Sequence, residues 1–308
     1  MGGRMRKLIL AAAFLMLAVP PALAGEQKCQ LVRLASLDMI PGSPHILVTA
    51  SLNGQPLTMM VDTGGYATAL TESKAKQLGL SIEIYPESGM VVYGGIKLKR
   101  FTTFSGFTLG RMKARSLTYP LLPDGFLPPD VDGILSPDFL ANFDLDFDFA
   151  SGKLNLFSRD HCEGQVVYWT KEPVAKIPIT RKDATHIAIP VTLDGQEIKA
   201  MIDTGGGGSA VMSLEAAEYD FDLKDDDPKF EHVPGPNGIK DARKYPFKML
   251  TFGDVQVLNP QIILVPDRDA KMGSNSPRMI IGITILRQLH MYIDYHEKYL
   301  YVSAASQH

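Results

Sequence analysis

Hydrophobic and polar positions alternate with a period of two along much of this 308-residue chain, the pattern of strands with one buried face. His45 to Leu52 is alternating and β-branched, Asn53-Gly54 is a two-residue turn signal, and Gln55 to Val61 returns. That is the pattern of a β-hairpin. The unit recurs as Ile187 to Leu193, Asp194-Gly195, and Gln196 to Ile202. Set side by side, His45–Gly65 and His186–Gly206 agree at ten of 21 positions with no gap. Matched frames of that length mark an internal duplication. Each returning strand delivers the same four residues at its end, Asp62-Thr63-Gly64-Gly65 and Asp203-Thr204-Gly205-Gly206.

The pattern downstream predicts similar organisation in both halves. Short helices are expected over Glu72 to Gln77 and Leu214 to Tyr219, and hairpin tips at Tyr93-Gly94-Gly95 and Gly235-Pro236-Asn237-Gly238. Val131 to Leu140 and Met279 to Leu286 are apolar runs, each with a turn leading into a short helix. Phe143, Leu145, Phe147 and Phe149 alternate with Asp144, Asp146 and Asp148. Those three aspartates are expected on a solvated sheet face rather than in a Ca²⁺ site. Asp220 to Asp227 reads as an exposed acidic insertion, and Ser158 to Lys182, polar with two prolines, as the connection between halves. The chain is expected to be mostly β, with little helix.

Composition narrows the setting. Arg4, Arg6 and Lys7 precede an apolar run from Leu8 to Val19, and Ala22-Leu23-Ala24 supplies a small-x-small cleavage pattern. Residues 1–24 are therefore expected to be a signal peptide, and the protein periplasmic or secreted. The run is too short for a bilayer span, so no stable membrane span is expected after cleavage. Thirty-one Lys and Arg against 34 Asp and Glu, with no basic tract, argue against nucleic acid as a partner. Two cysteines, Cys29 and Cys162, are expected to form one disulfide in an exported chain. The seven histidines show no metal-ligand spacing, so neither a metal nor any other cofactor is expected. His45 and His186, at equivalent repeat positions, are expected to be structural, and the methionines near the aspartates to fill core.

Three chemistries compete for Asp-Thr-Gly-Gly. A simple turn aspartate leaves the repetition unexplained. A phosphate-binding glycine loop fits Gly205-x-Gly207-x-x-Ala210 formally, but the first copy breaks the spacing at Tyr66 and the strand–helix alternation of such folds is missing. The third reading brings the two loops together. Two adjacent carboxyls share a proton, one serving as general base on water while the other polarises a carbonyl.

Paired Asp-Thr-Gly loops, each entered by a hydrophobic strand and followed by a hydrophobic closing turn and helix, resemble the aspartic proteases, and in particular the compact retropepsin-like exported type. The resemblance runs from about His45 to Val302. It implies a mostly β, two-lobed, acid-protease-like β-barrel fold with internal duplication, lobes over residues 25–160 and 161–308. It also implies an endopeptidase acting on polypeptide as a monomer with pseudo-twofold symmetry, with Asp62 and Asp203 catalytic. Thr63, Gly64, Thr204 and Gly205 would support the catalytic loops. Tyr93, Gly94 and Gly95, with Gly235 and Gly238, would form flaps over substrate. Two departures stand out. Gly65 and Gly206 occupy positions where family members usually carry Ser, Thr or Ala, and Ser136 stands where the second half has Gly282. The alternative they keep open is a non-catalytic peptide- or ligand-binding protein that retains the cleft.

Overall fold

The computed structural model describes residues 30–85, 90–91, 97–181, 186–236, 239–267 and 277–305. Both expected hairpins form, Leu47–Leu52 with Gln55–Val61 and Ile187–Leu193 with Gln196–Ile202. Asn53 and Gly54 have φ of 49° and 81°, and Asp194 and Gly195 have 46° and 89°. Two successive left-handed residues make a type I′ turn, whose twist matches that of the strands it joins.

The pairing beyond each hairpin is repeated as well. Gln55–Val61 pairs in parallel with Gly133–Leu135, which runs antiparallel to Ala69–Thr71, which in turn is parallel to Leu117–Leu122. In the second half Gln196–Ile202, Met279–Ile281, Ala210–Ser213 and Ile262–Val265 pair in the same order and sense. The strand that ends at each aspartate is thus an inner strand, with Met59, Val61, Ala200 and Ile202 buried. Each half also has its short helix, Glu72–Gln77 capped by Thr71 and Leu214–Phe221 capped by Ser213. The second runs two residues beyond the expected end, because Phe221 packs on Phe247.

A third sheet joins the halves. Its six strands run in the order Arg33–Asp38, Lys153–Phe157, Asp144–Asp148, Leu289–Asp294, Tyr299–Ala304, Ala175–Pro178. The central pair sets Leu145 against Ile293 and Phe147 against Met291, so one apolar core continues from lobe to lobe. The fold is mostly β and two-lobed, as expected. The sheets are open rather than closed barrels: the lobe sheets end in strands of two to four residues, such as Glu83–Ile84 and Val255–Leu258, too short to close a ring in register.

Two expectations about polar stretches need correction. Asp144 and Asp146 are fully buried, since their strand is one of the central pair in a sheet covered on that face by the connecting segment. Val166 in that segment is buried too, and Trp169 stacks on His290 at 4.3 Å between ring centroids. The connection therefore packs against the central sheet instead of crossing freely between lobes. The acidic stretch is mostly exposed, as expected, but Leu223 within it is buried.

Candidate active site

The two Asp-Thr-Gly loops meet tip to tip. The amide of Asp62 donates to the Leu135 carbonyl and that of Asp203 to the Ile281 carbonyl, both at 3.0 Å, so each loop hangs from its own closing strand. The threonines then lock across the interface. Thr63 Oγ1 donates to the Ile202 carbonyl at 2.8 Å and accepts the Thr204 amide at 3.1 Å. Thr204 Oγ1 donates to the Val61 carbonyl at 2.8 Å and accepts the Thr63 amide at 3.0 Å. Both threonines are fully buried, so these four bonds satisfy groups that would be costly to leave unpaired. A hydroxyl is needed at both positions because it must give and receive at once.

The lock brings the carboxyls face to face. They lie within hydrogen-bonding reach of one another. Burial is the largest cause holding both above the usual carboxylate range. The Asp203 charge and a hydrogen bond with Asp203 raise Asp62 further, well above that range. The same hydrogen bond pulls Asp203 back, as do the amides of Gly206 and Gly205 and the charge of His186. Both carboxyls are therefore held toward the protonated form, and the dyad titrates as a pair.

The glycines are there for lack of space. A Cβ on Gly64 would stand 2.4 Å from Asp203 Cγ, and one on Gly205 2.3 Å from Asp62 Cγ. Each loop presses its first glycine against the opposite carboxyl. No larger residue would let the dyad form.

Residues 48–139 and 189–285 match the family model described as aspartyl protease. The chain belongs to the aspartyl protease family. The matched segments contain both Asp-Thr-Gly loops and both closing turns. Among solved structures, basic 7S globulin from soybean is similar at 10% identity, covering 91% of this chain and 96% of that one, with a TM-score of 0.47. Comparison with curated protein sequences gave no match.

The chain departs from strict twofold symmetry around the two aspartates. His186 Nε2 lies 3.1 Å from the Gly64 carbonyl, so its N–H supports the first loop from the second lobe. The equivalent His45 leaves Nδ1 buried and unpartnered. Burial, then the Arg287 charge, lowers its basicity. Thr68, six residues past Asp62, donates through its amide and hydroxyl to Asp138 at 2.9 and 2.6 Å. Its hydroxyl accepts the Ser136 amide at 3.0 Å. Nothing in the chain pattern pointed to this link between the first Asp-Thr-Gly loop and the closing helix.

The other expected site residues fare unevenly. Tyr93, Gly94, Gly95 and Gly238 lie outside the described residues, as does Cys29. Strands Met90–Val91 and Lys97–Leu98 do pair on either side of the first tip. Gly235 sits in the turn of a second hairpin, Glu231–His232 with Arg243–Lys244, and its amide donates to the Ile239 carbonyl at 3.0 Å. A shallow cavity of about 410 Å³ opens there, lined by His232, Val233, Pro234, Gly235, Ile239 and Lys240. None of those residues belongs to either aspartate loop.

A second set of carboxyls lies in the central sheet. His161 Nε2 meets Asp144 at 2.6 Å and Asp294 at 3.8 Å, and its Nδ1 faces the Cys162 carbonyl at 3.1 Å. Burial works against a charged ring, but the Cys162 and Asp144 hydrogen bonds outweigh it and raise the basicity of His161, which favours the imidazolium with acceptors at both nitrogens. Asp146 accepts from His290, Asn155 and Tyr168, each at 2.7 Å. Asp144, His161 and Asp294 present ligand atoms within 4.8 Å of one another and have the donor set of a cation site. Here the imidazolium supplies the positive charge.

Proposed function

We propose that this protein is an exported aspartic endopeptidase that hydrolyses peptide bonds in extended polypeptides. The observation carrying the reading is the pair of facing carboxyls, Asp62 and Asp203, locked by reciprocal threonine bonds. In this reading Asp203, whose Oδ1 accepts two loop amides at 2.9 Å, is the ionised partner and Asp62 the protonated one. Asp203, ionised, takes a proton from a water held between the two. Asp62, protonated, donates to the carbonyl oxygen of the scissile bond as water attacks the carbon. The tetrahedral intermediate then collapses as the proton gained by Asp203 passes to the leaving nitrogen and a hydroxyl of the intermediate returns its proton to Asp62 while the carbonyl re-forms, so the dyad regains its single shared proton. Water is the nucleophile, so no covalent enzyme intermediate is required.

One chain supplies both half-sites, which fits a monomer with a single dyad. The signal segment fits export to the periplasm or beyond, a setting in which a Cys29–Cys162 disulfide is stable. The loop tips at Tyr93–Gly95 and Gly235–Gly238 are the parts of the chain suited to close over an extended substrate.

The test is peptide cleavage by the mature protein across pH. Turnover is expected from acidic to neutral pH, lost once both carboxyls ionise and blocked by a hydroxyl-bearing peptide that mimics the tetrahedral intermediate. Binding of peptide without turnover, unchanged in Asp62→Asn, would replace this reading with a non-catalytic binding protein.

A further inference from the structure

We propose that Ser136 is a positioning residue for Asp62: its hydroxyl takes the place of the side chain that Gly65 lacks and holds carboxyl oxygen Oδ2. The proposal rests on the dyad reading above and extends it to the support of the first half-site.

The geometry comes from one small volume. A Cβ on Gly65 would stand 2.8 Å from Asp62 Oδ2 and 2.3 Å from Ser136 Oγ. The space through which a residue at 65 would reach Asp62 is already taken, and a hydroxyl takes it. That hydroxyl is fully buried and has no partner in this state, a costly condition for a group that can both give and accept.

Ser136 is also free to turn. It is the N-cap of the short helix Pro137–Leu140, where a serine oxygen ordinarily folds back onto the helix amides. Here it makes no such bond. The Phe139 amide is occupied instead by the Asp138 carboxylate and the Ser136 carbonyl, both at 3.0 Å. The Ser136 backbone is pinned, its amide donating to Thr68 Oγ1 at 3.0 Å and its carbonyl accepting from Leu140 at 2.9 Å. Rotation about Cα–Cβ is the remaining freedom, and in the proposed arrangement this turn carries Oγ onto Asp62 Oδ2, which borders the same small volume.

The second half shows why only the first needs this. Asp203 Oδ1 accepts two loop amides, Gly205 and Gly206, each at 2.9 Å. Asp62 Oδ1 accepts Gly64 at 3.0 Å, with the Gly65 amide a further support of that carboxyl; in both loops the second-glycine amide also lies 3.3 Å from the aspartate carbonyl. At the place of Ser136 stands Gly282, whose Cβ would meet the Gly208 and Gly206 carbonyls at 2.4 and 2.8 Å. There the loop backbone fills the volume. In the first half the serine fills it and supplies a donor. The ionisable groups facing Asp62 are Asp203 from the opposite loop and His186, which reaches the first loop through the Gly64 carbonyl; Ser136 adds a neutral donor to them.

The test is a swap. Ser136→Ala is expected to lower kcat about tenfold with KM unchanged, the effect of one hydrogen bond to a charged group. It should also move the basic limb of the kcat/KM profile to higher pH, since without the donor Asp62 keeps its proton longer. Gly65→Ser alone should be worse, its new side chain colliding with Ser136. The double variant Gly65→Ser/Ser136→Gly should restore both rate and basic limb. The carbon-13 titration of the Asp62 carboxyl, followed without substrate, separates this proposal from the protease reading. A higher midpoint in Ser136→Ala, restored in the swap, supports the role of Ser136. An unmoved midpoint overturns it, and so does a loss in Ser136→Ala that the swap fails to restore. A wild-type protein that cuts no peptide overturns the protease reading, whatever the titration gives.

Discussion

The two Asp-Thr-Gly-Gly loops are identical in sequence and unequal in support. Across the interface they are symmetric: each threonine gives one bond and takes one, and the four distances fall between 2.8 and 3.1 Å. Behind the interface they differ. The second loop rests on backbone, with Gly206 and Gly208 carbonyls receiving the amides of Ile283 and Thr284 at 3.0 Å. The first rests on two side chains, Thr68 and Asp138, with Thr68 Oγ1 also accepting the Ser136 amide. A duplicated unit keeps what the shared centre requires of both copies and is free to vary what each copy solves alone.

The shared centre gives the largest expected effects. Asp62→Asn and Asp203→Asn should each lower kcat/KM by about 10²–10⁴-fold, the usual contribution of positioned acid–base groups. Equal losses are expected in peptide cleavage assays, because neither half-site works alone. A fully active Asp203→Asn protein breaks the single-dyad model.

The unequal surroundings predict an order among glycine substitutions. Gly282→Ala puts a methyl 2.4 Å from a backbone carbonyl that cannot move aside, and should cost at least about 1–3 kcal/mol in denaturant unfolding. Gly65→Ala should cost less, since the Ser136 hydroxyl it meets can rotate. Gly206→Ala should cost least: its nearest neighbour, Asp203 Oδ2, is 3.2 Å away. The reverse order for positions 65 and 206 would mean that the first loop is the better accommodated one.

Thr63→Ala and Thr204→Ala test the symmetric part. Each removes a donor and an acceptor from a buried pair and should cost about 1–3 kcal/mol. The two losses should match within error, and serine at either position should recover most of the loss. Unequal losses would show that the lock itself shares the asymmetry behind it.

Legibility in the sequence divides along the same line. Asp62, Asp203, the hairpins and the closing turns could be read because each repeats, and a local strand–turn–strand pattern needs no distant partner. Gly65, Gly206 and Ser136 were visible as departures, but not that Gly65 and Ser136 compensate one another. That contact joins residues 65 and 136, and one sequence gives no sign of which distant positions meet. Asp144, Asp146 and Asp148 illustrate the cost. Alternation put them correctly on one strand face and wrongly in solvent, because His161, His290 and Tyr168 arrive from elsewhere in the chain. The spacing of histidines carried no hint of it, since each serves a carboxylate on another segment.

The smallest effect is the most direct reading of the dyad's inequality. Both carboxyls are raised above their ordinary range, chiefly by burial. A group raised in the folded state binds protons more tightly there, so its stabilising contribution is complete below the unfolded value and lost as pH rises through the folded one. At neutral pH the wild-type protein therefore bears the cost of a buried charge in the dyad. Asp203→Asn removes that charge and leaves Asp62 with its proton, so it should melt higher than wild type at pH 7, by about 2–4 °C for ~1 kcal/mol in a chain of this size. As pH falls below the ordinary carboxylate range both wild-type carboxyls become neutral and the two curves should converge. Asp62→Asn should gain less, because it leaves the charged Asp203 in place. Thermal melts of the three proteins from pH 3 to 8 decide it. A larger gain for Asp62→Asn would place the charge on Asp62 and the shared proton on Asp203, and with it the opposite catalytic roles.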